Sequence, residues 1–255
     1  MTEAPQSGSP QRAPITDGLA LTGDALFRRR SYMPLVLLPL FVLSLSDRRP
    51  PTPFAWEVFC FAVALGGLFV RAFVVGTAPH GTSARGTRRP AADSLSTRGA
   101  YSVVRHPLYL ANTIVAVGCA MLSATWYLPA IVVLLSFIYH ERIAAREEAF
   151  LQAAFGDQFR AWASRVPAMV PSFGGYVRSD VPFATKRVLV QESHGLCAIG
   201  TAFLVLDTLE DSIRRGYFHV DRRWLAVFVA TLVPLLIVVL QKRYRRSAPN
   251  IMNAR

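Results

Sequence analysis

From residue 107 to residue 140 the chain contains no Asp, Glu, Lys or Arg. A single helix of that length would be about 50 Å long, well beyond the roughly 30 Å hydrocarbon core of a bilayer. The run therefore divides into two membrane passes turned near Ser123, Ala124 and Thr125. Other apolar runs flank this hairpin. One is bounded by Arg30 and Asp47 and contains Pro34 and Pro39, and a second covers 54–75 with Glu57 and Arg71 near its ends. A third covers 193–206 with Glu192 and His194 at its start, and the last covers 224–240 ahead of Lys242, Arg243, Arg245 and Arg246. The expected fold is all-α, a polytopic integral membrane protein of about six transmembrane helices. Ala62 and Gly66 give the second pass a small-xxx-small spacing suited to close helix packing.

The formal charge is +12, but the Lys and Arg residues lie between apolar runs and form no basic face interleaved with aromatics, which argues against nucleic acid as a partner. With an even number of passes both termini share a side, and that side holds 22 Lys and Arg against 6 on the other. The positive-inside rule then puts both termini and the two long loops in the cytoplasm, in an inner or cytoplasmic membrane. Residues 1–27, rich in Pro, Ser, Gly and Thr, read as a disordered cytoplasmic tail. Helices 1 and 2 occupy 28–76, a cytoplasmic loop 77–106, the hairpin with an amphipathic helix 107–178, two C-terminal helices 179–246 and a short tail 247–255. The amphipathic segment is 141–165, where charges alternate with Phe150, Leu151, Phe155, Phe159 and Trp162 at helical spacing, so that it lies along the membrane surface. Cys60, Cys119 and Cys197 sit apart inside apolar runs as small hydrophobes, and no metal-ligand spacing is present.

Nearly all the polar groups suited to chemistry lie in two segments. One is Gly99-Ala100-Tyr101-Ser102-Val103-Val104-Arg105-His106-Pro107-Leu108-Tyr109, and the other is Glu147-Glu148 with Phe155-Gly156 behind them. Pro107 opens a membrane helix, where its missing amide costs nothing and free N–H groups face the water boundary. Folding the hairpin brings Glu147 and Glu148 back toward Arg105 and His106, an arrangement able to hold a sulfonium or ammonium ligand. The plain alternative is that Arg105 and His106 are flanking residues of the positive-inside kind and that the glutamates pair with Arg142 and Arg146. Arg71 either snorkels or meets a cofactor. The loop at 81–89, with Thr82 and Arg85, reads either as a grip for an anionic headgroup or as a flexible basic loop. Glu192 and His194 are ionisable groups at membrane depth, which marks a functional or buried paired site. His80, His140 and His219 have no evident partners and read as interfacial.

The pattern Gly99-x-Tyr101-x-x-x-Arg105-His106-Pro107-x-Tyr109, followed by Glu147-Glu148-x-x-Leu151-x-x-x-Phe155-Gly156-x-x-Phe159-x-x-Trp162 and Val166-Pro167, resembles the isoprenylcysteine carboxyl methyltransferase and phospholipid methyltransferase superfamily. The likeness covers about residues 81–171. It implies S-adenosylmethionine as cofactor, held without a GxGxxG loop by the hairpin and the amphipathic segment, while a membrane lipid or lipidated substrate enters from the bilayer. Carried over by position, Tyr101, His106, Leu108, Tyr109, Glu147 and Glu148 hold the cofactor. Arg105, His106 and Glu148 are the catalytic residues, with Arg105 on the cofactor's carboxylate or on the substrate. Apart from the resemblance, the chemistry of the 81–89 loop and the membrane depth of Glu192 assign Thr82, Arg85 and Glu192 to the substrate. Phe159 and Trp162 stand where the superfamily often has tyrosines. The acceptor implied is a lipid headgroup carboxylate, phosphate or amine. A nicotinamide-dependent sterol-type reductase shares the overall fold and an Arg-x-Pro-x-Tyr-like element, but the Glu-Glu, Phe-Gly and Val-Pro run favours methyl transfer. A transporter or scaffold would spread its polar residues around a midplane cavity, whereas here they cluster at one face.

Overall fold

The computed structural model describes residues 33–45, 52–79 and 94–247. Each apolar run becomes a helix: α1 Met33–Ser44, α2 Phe54–Thr77, α3 Pro107–Met121, α4 Tyr127–Ala163, α5 Thr185–Arg215 and α6 Arg222–Ser247. Two short 3-10 turns, Gly99–Ser102 and Phe173–Gly175, complete the order, and no strand occurs among the described residues. The chain is thus an all-helical integral membrane protein. Four helices, α2, α4, α5 and α6, are long and apolar enough to cross a bilayer. The expected count of six is not reached on length, because the described part of α1 has 12 residues and α3 has 15. At 1.5 Å per residue these span only about 18 and 22 Å.

The hairpin turns where the apolar run was expected to divide. Residues Ser123, Ala124 and Thr125 lie between α3 and α4, with Ala124 at φ 51 and the hydroxyls of Ser123 and Thr125 bonded to each other at 2.9 Å. Pro107 is the first residue of α3, and Gly216 ends α5 in the left-handed conformation at φ 75. The amphipathic stretch, however, is not a separate surface helix. It continues α4, a 37-residue helix broken only at Gly156, where φ 48 and ψ −117 lie outside the range of most L-residues. Beyond that break Phe159, Trp162 and Val166 are buried against Leu95 and Tyr101 instead of facing lipid.

All the helices run between two common ends. At one end Trp56 Nε1 of α2 donates to the carbonyl of Met121 at the close of α3. There Phe61, Phe203 and Trp224 pack ring against ring, and Trp224 Nε1 donates to Glu57 at 2.8 Å. The opposite end gathers the close of α2, the start of α3, the latter part of α4 and the start of α5. It is laced by backbone bonds from Ala184 to Gly76 and from Gly99 to Val177, and by the Ser179 hydroxyl, which donates to the carbonyl of Thr77. Leu134, Phe137, Val229, Leu236 and Leu240 stay exposed on the outer faces of α4 and α6, as lipid contact requires.

The close α2–α3 crossing uses Gly67 and Gly118, not the expected Gly66, whose missing side chain faces open space. A Cβ at Gly118 would lie 2.6 Å from the Ala64 nitrogen, and one at Gly67 would lie 2.8 Å from the Ala111 carbonyl. Both obstacles are backbone, so even a methyl group must push the helices apart. Gly118→Ala is expected to destabilise the protein by about 1–3 kcal/mol, read as a lower unfolding midpoint in detergent, while Gly66→Ala leaves it unchanged. The three cysteines are free; Cys60 is buried, whereas Cys119 and Cys197 are half-buried.

Candidate active site

Arg105 and His106 reach their positions because the chain before α3 is pinned by backbone bonds. The amide of Arg105 donates to the carbonyl of Pro167 at 2.9 Å and that of His106 to Ala168 at 3.2 Å, while Ser172 donates back to Val103 at 3.0 Å. Trp162 Nε1 adds a bond to the carbonyl of Tyr101 at 3.0 Å, and Ser102 Oγ accepts from the amide of Val177 at 2.9 Å. The chain at 163–177 is therefore fastened along the segment that carries the site.

Across the hairpin, α4 presents Glu147 and Glu148. Glu148 accepts from Arg105 Nε at 2.8 Å and from its Nη2 at 3.2 Å, a two-point ion pair, and lies 2.9 Å from His106 Nε2. Glu147 accepts from the Tyr109 hydroxyl at 2.6 Å, and its other oxygen lies 3.7 Å from His106 Nδ1. The imidazole thus stands between two carboxylates. The second amino group of Arg105, Nη1, donates to the carbonyls of Ala163 and Val166, both at 2.8 Å. Arg105, expected to hold a carboxylate of a ligand, spends these donors on Glu148 and on the chain wrapped around it.

The rings form a stack. Tyr109 lies 5.5 Å from His106 with an 18° interplanar angle, and 4.8 Å from His140 at 10°. His140, read from the sequence as interfacial, is buried here, and its Nδ1 lies 3.4 Å from the hydroxyl of Thr113. Leu108 is half-buried in the first turn of α3, and Tyr101 packs among Phe159, Trp162 and Val166.

The remaining expected residues fall elsewhere. Glu192, buried on α5, accepts from Arg71 Nε at 2.8 Å and from Nη2 at 3.3 Å, and Arg71 Nη1 donates to Asn112 at 2.5 Å. Arg71 therefore does not snorkel outward; it joins α2, α3 and α5. His194 is exposed and takes no part in this pair. At the other end of the bundle His219 Nε2 lies 3.7 Å from Asp211. Thr82, Arg85 and His80 lie outside the described residues, as does the tail at 1–27. Among the described residues no group of His, Cys, Asp and Glu is spaced to hold a metal ion.

Comparison with known proteins bears on the same segment. Residues 59–158 match the family model described as phospholipid methyltransferase. The cobalt-zinc-cadmium resistance protein CzcN of Cupriavidus metallidurans is 31% identical over 84 residues, 33% of this chain and 38% of that protein. Protein-S-isoprenylcysteine O-methyltransferase of Schizosaccharomyces pombe is 32% identical over 77 residues, 30% of this chain and 33% of that protein. The chain thus spans well under half the length of either curated relative. No solved structure matches it. The matched stretch contains Arg105, His106, Tyr109, His140, Glu147 and Glu148, so the site lies inside the part of the chain that is similar to membrane methyltransferases.

Proposed function

We propose that this chain transfers a methyl group from S-adenosylmethionine to a lipid-like acceptor at the cytoplasmic face of the membrane. The observation that carries the proposal is the convergence of His106, Tyr109, Glu147 and Glu148 at one end of the α3–α4 hairpin, inside the segment shared with methyltransferases. The donor set suits the cofactor. Glu147 and Glu148 are about a quarter exposed, so a ligand reaches them, while His106 beneath is only 7% exposed. Two adjacent carboxylates beside stacked aromatic rings form a site for a cation, and S-adenosylmethionine carries both an ammonium and a sulfonium.

When bound, the cofactor supplies an electrophilic methyl group on its sulfonium. The chain's own contribution is positioning and exclusion of water, since a displacement of this kind needs an aligned nucleophile and little covalent help. Glu147 and Glu148 orient the cationic groups. Arg105 holds Glu148 in place and fastens the carbonyls of Ala163 and Val166, closing the 163–177 chain over the site. A carboxylate or phosphate acceptor arrives ionised and needs no base; an amine or hydroxyl passes its proton to Glu147, Glu148 or His106. The Lys and Arg count supports the cytoplasmic side, because the cation-rich loops join the helix ends that carry the site.

Calorimetric titration of the detergent-solubilised protein with S-adenosylhomocysteine tests this reading. Binding is expected, weakened at least tenfold by His106→Ala and by Glu148→Ala, with no response to NADPH. Tight NADPH binding without a response to S-adenosylhomocysteine would sink the proposal in favour of a reductase.

A further inference from the structure

At the same end of the bundle as the Glu147–Glu148 site, a groove of about 580 Å³ runs over the first turns of α5. Its donors are Thr185, Lys186, Arg187 and Gln191, and its apolar wall is Phe183 and Val190. Among the described residues neither Lys186 nor Arg187 meets a carboxylate. Arg187 is fixed by one bond, from Nη2 to the carbonyl of Ala78, yet its Nε is buried with no acceptor among the described residues. That N–H is covered by protein, but the Arg187 guanidinium as a whole, beside the exposed ammonium of Lys186, has no counter-charge among the described residues, and an anion in the groove would supply one.

The position of the groove says which kind of anion. The chain leading into α5 exposes Phe173, Tyr176, Val177 and Phe183, with Phe173 77% exposed. Aromatic and branched side chains bared just ahead of a membrane-spanning helix belong at the headgroup level of a bilayer. Phe183 also packs its ring into the space left by Gly76, which fixes the apolar wall of the groove to α2. Cationic and amide donors at one side and an apolar wall at the other match a phosphate joined to a hydrocarbon body, which a free anion would use only in part.

We infer that this groove binds one anionic phospholipid, its phosphate on Lys186, Arg187, Thr185 and Gln191 and its glycerol and acyl portion along Phe183 and Val190. The inference does not depend on the methyl-transfer reading, since it concerns binding alone. Juxtamembrane cations contribute about fivefold each to the binding of an anionic lipid.

Native mass spectrometry of the full chain in detergent, titrated with phosphatidylglycerol or phosphatidylcholine, tests it. One phosphatidylglycerol is expected to be retained in preference to phosphatidylcholine. Lys186→Ala should weaken that binding about fivefold, and Lys186→Ala with Arg187→Gln about thirtyfold. Arg160→Ala, an exposed cation of α4 paired with Asp157, serves as a control and should leave it unchanged. Lys186 is exposed, so its variant reports on binding and not on folding. Equal retention of the two lipids, or phosphatidylglycerol binding indifferent to Lys186→Ala, would overturn the inference. Displacement of the lipid by millimolar inorganic phosphate would overturn the lipid assignment and leave a free-anion site.

Discussion

Glu148→Ala is expected to lower methyl transfer by about a hundredfold to a thousandfold, the range seen when a positioned acid–base or electrostatic group is removed. Glu148 is the shared partner of Arg105 and His106, so its loss acts three times over. It removes a carboxylate from the cation site, frees the His106 ring, and leaves Arg105 anchored only to the carbonyls of Ala163 and Val166. The ion pair is partly open to solvent, with Arg105 16% and Glu148 24% exposed, so the stability cost is screened to about 1–2 kcal/mol. Glu148→Gln keeps the shape and an acceptor oxygen and should lose less of both. Glu147→Gln, which disturbs only Tyr109 and the longer contact to His106, should weaken binding of the cofactor more than it lowers stability. The measurement is transfer of a labelled methyl group into a membrane lipid extract, read beside thermal unfolding. Unchanged transfer by Glu148→Ala would remove this carboxylate from the site.

Much of the fold was legible because the bilayer penalises charge so heavily that each helix leaves a gap in the pattern of Asp, Glu, Lys and Arg. The 107–140 gap gave both arms of the hairpin, and Ser123 to Thr125 gave its turn. The choice of Gly66 over Gly67 failed for a physical reason. Small residues one position apart lie about 100° apart on a helix, and only the partner helix decides which faces it. Gly67 and Gly118 matter because Ala111 and Cys60 lie opposite them. The length of α4 was misjudged because periodic Phe and Trp residues announce an apolar face without naming what covers it. The cover is Leu95 and Tyr101, brought there by the break at Gly156.

The Arg105–His106 and Glu147–Glu148 segments stood out because charged groups next to a membrane hairpin are rare and were paired with turn-forming neighbours. His140 was missed, although its spacing of seven from Glu147 puts both on one face of α4 two turns apart. Its signal was hidden by the apolar residues around it. Tyr109, Asn112 and Thr113 share a face of α3 at spacings of three and four, yet nothing local tells that His140 lies over one and Arg71 against another. The bond from Arg71 to Glu192 crosses 121 residues of sequence and is a product of packing α2 against α5.

That pair should produce the largest change in stability of any single substitution in the bundle. Glu192 is 6% exposed and Arg71 23%, in an apolar setting where solvent screens little. Arg71→Met leaves the Glu192 carboxylate without its cation, and removing one partner of a buried pair costs about 3–5 kcal/mol. It also strands the Asn112 carbonyl oxygen, which accepts from Arg71 one turn beyond Tyr109. Glu192→Leu should cost a similar amount, because it leaves the guanidinium stranded among α2, α3 and α5. The double variant Arg71→Met with Glu192→Leu replaces charge by packing volume and is expected to recover most of the loss. Unfolding midpoints of the four proteins in a denaturing-detergent titration give the coupling energy directly. Additive losses would show that the two side chains act separately. A recovered double variant that still transfers methyl groups within about tenfold of the parent would make the pair a fastening between helices. One that recovers stability and loses transfer would return Glu192 to the acceptor, where its depth in the membrane first placed it.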